Sequence, residues 1–203
     1  MLSEAVRIKF TKVGSLQFIS HLDLNRTMKT VMIRAGVPIK YSEGFNPHPK
    51  MVFALPLSIG AESETELLDF KITSPMTERE LIDRLNCALP PEMRVLKAYV
   101  PNSKFTAIRY AEYILENDED FSCEPLDAPE IIVMKRTKSG EKETDIKPLI
   151  HSYKKEGKTL TCVLSASPDE YLNPDYIAKY LDIPECTILR KRVLLDDGMA
   201  EFK

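Results

Sequence analysis

The sequence lacks the cysteine spacing that would hold a metal centre. Its four cysteines, Cys87, Cys123, Cys162 and Cys186, are far apart and include no Cys-x-x-Cys pair. This spacing argues against a zinc site built from cysteines and against an iron–sulfur cluster held by this chain alone. Because each cysteine falls in an otherwise apolar or element-like stretch, we expect buried free thiols in a reducing cytoplasm and no bound metal.

Several other signals are absent as well. No run approaches the ~20 apolar residues of a membrane span and no N-terminal stretch resembles a signal peptide, so we expect a cytoplasmic protein without a membrane partner. The sequence has no glycine-rich phosphate loop, no His-Glu-x-x-His and no Gly-x-Ser-x-Gly, and we expect no cofactor. Arg7 and Lys9, not aromatic residues, take the expected exposed positions of the first strand, which argues against an RRM that stacks bases on its sheet.

Charge is distributed unevenly along the 203 residues. The formal net charge is -3, yet the first 60 residues carry eight lysines and arginines against three acids. Residues 111–130, by contrast, contain eight acids and no base. Two differently charged solvated surfaces would account for this pattern. The alternative is a basic N-terminal face that binds an anion, such as phosphate or nucleic acid.

The N-terminal pattern predicts a strand followed by a capped helix. Residues 5–12 alternate in polarity as a half-buried strand does, and residues 16–19 are predicted to resume the strand after a turn. Ser20 and Asp23 have the spacing of a capping box, so the helix is expected to begin at His21. Its apolar stripe consists of Leu24, Met28, Val31, Met32 and Ala35.

Further strands and a second helix follow in a recognisable order. The strands are predicted at residues 39–41, 51–59, 68–72 and 95–100, and a capping box at Thr77 and Glu80 begins the second helix. Strand, helix, strand pair, helix, strand is the split βαβ, or ferredoxin-like, pattern. It predicts an antiparallel sheet with both helices on one face. We therefore expect an α+β protein whose residues 1–103 form a ferredoxin-like βαββαβ domain.

Residues 104–203 are predicted to form a second, more acidic α+β domain. Its strands are expected at residues 107–115, 131–134, 160–164 and 187–195, with a polar turn at 135–142. Residues 146–153 fit either a strand or a helix. Asn173 and Pro174 open a short helix, and the closing strand–helix–strand order favours a second ferredoxin-like unit.

The first helix start is one half of the candidate site. His21 would occupy the first helical position, where the helix dipole and free N–H groups disfavour a positive imidazole. A neutral imidazole can act as a general base, a ligand or a hydrogen-bond partner. The alternative is an ordinary helix-start histidine. Asp23 would cap the helix, and Arg26 could reach an anion at the helix start or lie on the surface.

The loop from Gly44 to Lys50 is the other half. Its prolines restrict themselves and the preceding residues, so Asn46 and His48 are biased toward extended backbone. An aromatic ring, an amide, an imidazole and an ammonium together suit base stacking and phosphate contact. A stiff connector with a buried Phe45 is the alternative. The candidate binding residues are Ser20, His21, Asp23, Arg26, Tyr41, Gly44, Phe45, Asn46, Pro47, His48 and Lys50, and the candidate catalytic residues are His21 and His48.

Two motifs carry a family resemblance: Ser-His-Leu-Asp at residues 20–23 and Gly-Phe-Asn-Pro-His-Pro-Lys at residues 44–50. With their surroundings in residues 5–72, they resemble the radical SAM-linked protein family. This is a bacterial domain of unknown function that is fused to or encoded beside a radical SAM protein. The resemblance implies a radical SAM protein as partner. Family members often lie near genes for ribonuclease E/G and ribosomal proteins, which implies RNA or ribosome biology.

These observations lead to one preferred function and two alternatives. We expect an accessory RNA-binding protein that acts with a radical SAM enzyme in RNA or ribosome-related modification or processing. Since the chain has no Cys-x-x-x-Cys-x-x-Cys, it is not itself the radical SAM enzyme. It could instead be a metal-independent ribonuclease or RNA-modifying enzyme that uses His21 or His48, or a protein–protein adaptor that binds no nucleic acid. No obvious nucleophile or second acid lies near His21, which favours binding over catalysis.

Overall fold

The computed structural model describes residues 1–2, 4–137, 140–195 and 200–202. It has a mixed α+β structure in which the chain forms two compact units, Met1–Phe105 and Thr106–Phe202. The predicted α+β class is confirmed. Over these described ranges, no helix is long and apolar enough to cross a membrane.

Antiparallel strands and two helices build the N-terminal unit. The elements are β1 (Ala5–Lys12), α1 (His21–Arg34), β2 (Met51–Phe53), β3 (Ala61–Lys71), α2 (Glu78–Ala88) and β4 (Met93–Tyr99). Strand β1 pairs with β3 and β4, and β2 pairs with β3, so these strands have the order β4-β1-β3-β2. All three pairings are antiparallel.

Local side-chain contacts start and end the helices. The Ser20 hydroxyl accepts a hydrogen bond from the Asp23 N–H at 3.1 Å, and the Thr77 hydroxyl accepts one from the Glu80 N–H at 3.1 Å. Each bond satisfies a backbone donor that the helix itself leaves unpaired. After α1, Gly36 adopts a φ of 62°, the left-handed conformation that commonly ends helices. The predicted helix starts are confirmed.

Both helices bury their apolar stripes against one face of this sheet. The buried cluster contains Leu24, Met28, Val31 and Met32 of α1, Leu81 and Leu85 of α2, and Val6, Ile8, Phe10, Leu68, Phe70, Met93 and Val95 of the strands. The three residues from β1 alternate along the strand and therefore point to the same side. The stripe predicted for α1 is confirmed.

Three strand predictions in this unit are wrong. Residues 16–19 do not resume a strand, because Gly14–Phe18 forms a 3₁₀ helix whose first residue, Gly14, is left-handed. Residues 39–41 make only isolated bridges, from Ile39 to Ile72 and from Tyr41 to Pro49. Strand β2 keeps only the first three residues of the predicted 51–59 strand; beyond it, Pro56 has no N–H to donate to a ladder.

Arg7 also departs from its predicted exposed position. Its side chain is fully buried, and it donates two hydrogen bonds to the Asp69 carboxylate at 2.6 and 2.8 Å and one to the Ser103 carbonyl at 2.9 Å. The guanidinium carbon lies 4.2 Å from the centre of the Phe105 ring. A buried charge requires such a partner. The alternation of β1 indicated a polar face but could not show that the segment around Ser103 covers it.

The C-terminal unit contains β5 (Tyr110–Glu116), β6 (Ile132–Thr137), β7 (Gly140–Asp145), β8 (Ile150–Glu156), β9 (Thr159–Ser165), α3 (Asp175–Tyr180) and β10 (Thr187–Leu194). Strand β5 pairs with β10 and β9, and β9 pairs with β8, all antiparallel. The pair β6–β7 forms a separate hairpin. The predicted polar turn at 135–142 is wrong because Lys135 and Lys142 are paired strand residues; residues 138–139 of that prediction lie outside the described chain.

The two units have the same order of strands. If the β6–β7 hairpin is left out of the count, the last strand of each unit neighbours its first, the first neighbours the third, and the third neighbours the second. They differ in the connection between their first and second strands. That connection contains α1 in the N-terminal unit and the β6–β7 hairpin in the C-terminal unit.

Candidate functional site

His21 stands at the exposed first position of α1. Its ring packs edge-on against Phe53 of β2, with ring centres 5.2 Å apart and planes at 79°. Phe53 in turn lies 6.4 Å from the buried Phe10 ring, also edge to face. This chain of rings connects the imidazole to the core of the unit, so its position is fixed by packing.

Asp23 and Arg26, the charged residues that follow His21, interact at the start of the helix. The Asp23 carboxylate accepts a hydrogen bond from the Ser20 hydroxyl at 2.6 Å and one from Arg26 at 3.3 Å. The bond from Ser20 is the main reason that the pKa of Asp23 is lowered. The Arg26 side chain is 69% exposed, and an ion pair with so much solvent contact holds it only weakly. Ser20 and Asp23 therefore cap the helix, whereas Arg26 can still contact another anion.

The second motif forms a closed loop. Its base is joined by hydrogen bonds from Lys50 N–H to the Lys40 carbonyl at 3.1 Å and from Ser42 N–H to the His48 carbonyl at 2.8 Å. The Ser42 hydroxyl also accepts from the His48 N–H at 3.1 Å and lies 2.9 Å from His48 Nδ1. Gly44 has a φ of 115°, which side chains with a Cβ rarely adopt. Backbone bonds and proline stiffness thus order the loop and orient the His48 ring.

The loop presents its side chains to solvent. Phe45 is fully exposed, and Asn46, Pro47, His48 and Lys50 are exposed beside it. The interpretation of Phe45 as the buried residue of a stiff connector is therefore wrong. Because the Phe45 ring is fully exposed on an ordered loop, its face is available to contact another molecule.

The charge around this loop is positive. Lys40 and Lys50 lie at its base, and Glu43 is the one acid among residues 40–50. Lys71, which is adjacent through the bond from Lys40 N–H to its carbonyl, pairs with Glu4 at 2.9 Å. That bond lowers the pKa of Glu4. The exposed ammonium groups of Lys40 and Lys50 are therefore the cations nearest in sequence to the Phe45 ring.

The two motifs meet through β2. His21 contacts Phe53, and the loop leads directly into β2 at Met51. The two histidines have different partners, Phe53 for His21 and Ser42 for His48, so a single site that uses both rings stays a prediction. Among the side chains that the structure describes, no group of three His, Cys, Asp or Glu could hold a metal ion.

Sequence reasoning missed several residues here. Phe53 packs against His21, and Ser42, which lies two residues before the second motif, bonds His48. Phe18, Leu22 and Ile59 are apolar yet 59–66% exposed. The hydrogen bond from Gly60 N–H to the Gln17 carbonyl, 2.9 Å long, brings the loop that carries Ile59 next to the turn that carries Phe18. The sequence did indicate that Leu22 is exposed, because Leu22 lies outside the apolar stripe of α1.

The acidic stretch of the C-terminal unit is fastened to its own sheet. Asp120 pairs with Lys155 of β8 at 2.5 Å, and that bond lowers the pKa of Asp120. Asp127 bonds the Tyr153 hydroxyl and raises the pKa of Tyr153 to about 12. These acids therefore hold a surface loop on β8, as expected of a solvated acidic segment.

The comparisons with known proteins identify a family without a function. A family described as "Uncharacterized protein conserved in bacteria (DUF2344)" matches residues 5–174, which include both motifs. No curated protein matches the chain.

Proposed function

We propose that the chain, which belongs to the DUF2344 family, binds single-stranded RNA through the loop of residues 41–50 and the start of α1. The observation that carries this proposal is the Phe45 ring, which is fully exposed on an ordered loop with two lysines at its base. Aromatic rings that stack on bases, next to cations that contact phosphates, are the common means of binding single strands.

Each exposed group of the loop has a role in this proposal. Phe45 stacks on an unpaired base, and Lys50 contacts a phosphate. Asn46 has an exposed side-chain amide that can donate to and accept from a base edge. Because the loop is already ordered by its bonds to Ser42 and Lys40, little conformational entropy is lost when RNA binds.

We further propose that the protein works as an accessory to a radical SAM enzyme. The resemblance of residues 5–72 to the radical SAM-linked family supports this partner. The β4-β1-β3-β2 order, with both helices on one face, supports a ferredoxin-like N-terminal unit. The equivalent strand order supports a second, modified unit in residues 104–203.

One observation favours a protein contact in addition. Phe18, Leu22 and Ile59 expose apolar side chains near the start of α1, and exposed apolar groups of this kind are frequent at protein interfaces. An adaptor that binds only protein would use this surface and leave Phe45 without a role. We therefore favour RNA binding, with the apolar surface available to the partner enzyme.

The proposal is tested by purifying the tagged protein from bacteria after ultraviolet cross-linking and measuring the RNA attached to it. Wild-type protein should carry cross-linked RNA, and Phe45→Ala combined with Lys50→Ala should carry much less. Leu96→Ala, which removes an exposed apolar side chain from β4, is the control and should retain the RNA. Equal, background-level RNA in all three proteins would reject RNA binding and favour the adaptor.

A further inference from the structure

A groove between α1 and α2 offers a second basic surface on the N-terminal unit. It encloses about 530 Å³, and Arg26, Thr30 and Arg34 line it from α1. On the side of α2, the lining includes Cys87, Leu89 and Pro90. The groove thus combines two guanidinium groups and a hydroxyl with an apolar wall.

The three α1 residues form a row along the helix. They are spaced four residues apart, so they share one face, and the two arginines are about 12 Å apart along the helix axis. The Thr30 hydroxyl donates to the Arg26 carbonyl at 3.1 Å. The row therefore presents one cation at each end of the groove.

Two acids of α2, the helix on the other side of the groove, contact arginines of their own helix. Asp83 lies 3.7 Å from Arg79, and Glu80 bonds Arg84 at 2.7 Å. Arg34 is exposed and forms no ion pair within the part of the chain that the structure describes. Arg26 contacts Asp23 at 3.3 Å in a solvent-exposed pair, which contributes little stability. The lining of the groove itself contains these two arginines and no acid, so its charge is positive.

We infer that this groove holds one nucleotide of a bound RNA strand, with its neighbouring phosphates on Arg26 and Arg34. The inference rests on the proposed function, because Arg26 is also part of the proposed RNA site. Pockets for small ligands have volumes of about 300–1,000 Å³, so a groove of this size fits a single nucleotide. A guanidinium group can bind two oxygens of one phosphate at once. The wall of Leu89 and Pro90 can cover a ribose or a base face.

Cys87 is exposed and not buried as the sequence predicted, and its free thiol lies in the groove, so it provides a direct probe of occupancy. With a short single-stranded oligonucleotide at about ten times its Kd, alkylation of Cys87 by iodoacetamide should slow roughly tenfold if the ligand covers the thiol. Peptide mass spectrometry gives the rate for each cysteine. Cys123, which is half-buried in the C-terminal unit, is the internal control and should react at an unchanged rate.

Variants separate the groove from the loop. Arg34→Gln should weaken oligonucleotide binding about tenfold or more at low salt and lower the slope of log affinity against log salt by ~0.7, the value for one single-strand phosphate contact. Arg94→Gln removes an exposed arginine from β4, outside the groove lining. It should change the affinity and the salt slope less than Arg34→Gln does. Unchanged melting temperatures would show that both variants fold.

The outcomes distinguish this inference from the proposed function. Protection of Cys87 together with an Arg34→Gln defect supports it. Binding that depends on Phe45 but neither protects Cys87 nor requires Arg34 overturns the groove and leaves RNA binding intact. If the oligonucleotide does not bind wild-type protein, both ideas fail. Equal protection by inorganic phosphate or a mononucleotide at the same concentration would identify a small-anion site and overturn the assignment to a strand.

Discussion

Replacing Phe45 by alanine should separate RNA binding from folding more sharply than any other single change. The Phe45 side chain is fully exposed and makes no ring contact in the described structure. Its removal therefore creates no cavity and breaks no core packing. Surface substitutions of this kind change the free energy of unfolding by about 0.5 kcal/mol or less.

The expected loss of affinity is considerably larger. One base stacked on an aromatic side chain contributes about 1–3 kcal/mol to binding, so Phe45→Ala should raise the Kd for single-stranded RNA by roughly 5–150-fold. Phe45→Tyr keeps the ring and should bind nearly as wild type does. Phe45→Leu keeps apolar area without a π face and should resemble alanine.

Fluorescence anisotropy with a labelled oligonucleotide measures the Kd, and urea unfolding of the same proteins measures stability. Base stacking by Phe45 requires a change in Kd without a change in the unfolding midpoint. It is refuted if alanine, leucine and tyrosine variants all bind like wild type. It also fails if Phe45→Ala lowers stability by more than about 1 kcal/mol, since the ring would then be packed in the folded protein.

Three further predictions concern the ion pair, catalysis and the thiols. Asp69→Ala leaves the buried guanidinium of Arg7 without its carboxylate and should lower the free energy of unfolding by about 3–5 kcal/mol in urea titrations; a loss under 1 kcal/mol would contradict the pairing. We expect the wild-type protein to turn over no RNA, so His21→Gln should remove no activity. If His21→Gln instead lowers a single-turnover rate by about 10²–10⁴ while affinity stays intact, the protein is an enzyme. Burial raises the pKa of Cys186 to about 11, so its alkylation should accelerate with pH up to that value and lag far behind that of Cys87 at pH 8.

The helices of the N-terminal unit could be predicted because their signals are local. Ser20 and Asp23 carry the capping bond themselves, and the stripe beginning at Leu24 lies within one helix. The length of β2 could not be predicted, because it depends on the pairing with β3, which ends at Phe53. The burial of Arg7 likewise depends on Asp69 and on Ser103, 62 and 96 residues away.

The sequence indicated which residues form the candidate site, but not which of their side chains are exposed. The composition of residues 44–50 indicated an ordered loop with binding groups, yet it could not decide whether Phe45 points into the core or into solvent. That outcome depends on the hydrogen bonds that close the loop at Ser42 and Lys40. The groove between α1 and α2 gave no sequence signal, because Arg34 and Cys87 become neighbours only when the helices pack.

The salt dependence of RNA affinity tests the central claim most directly. Phosphate contacts release counterions, so log affinity should fall linearly with log salt for the wild-type protein. Lys50→Ala with Arg26→Ala should reduce that slope by about 1.4 on a single strand and about 1.8 on a duplex. A flat salt dependence for wild type, or a double variant with unchanged slope and affinity, would contradict RNA binding by these residues.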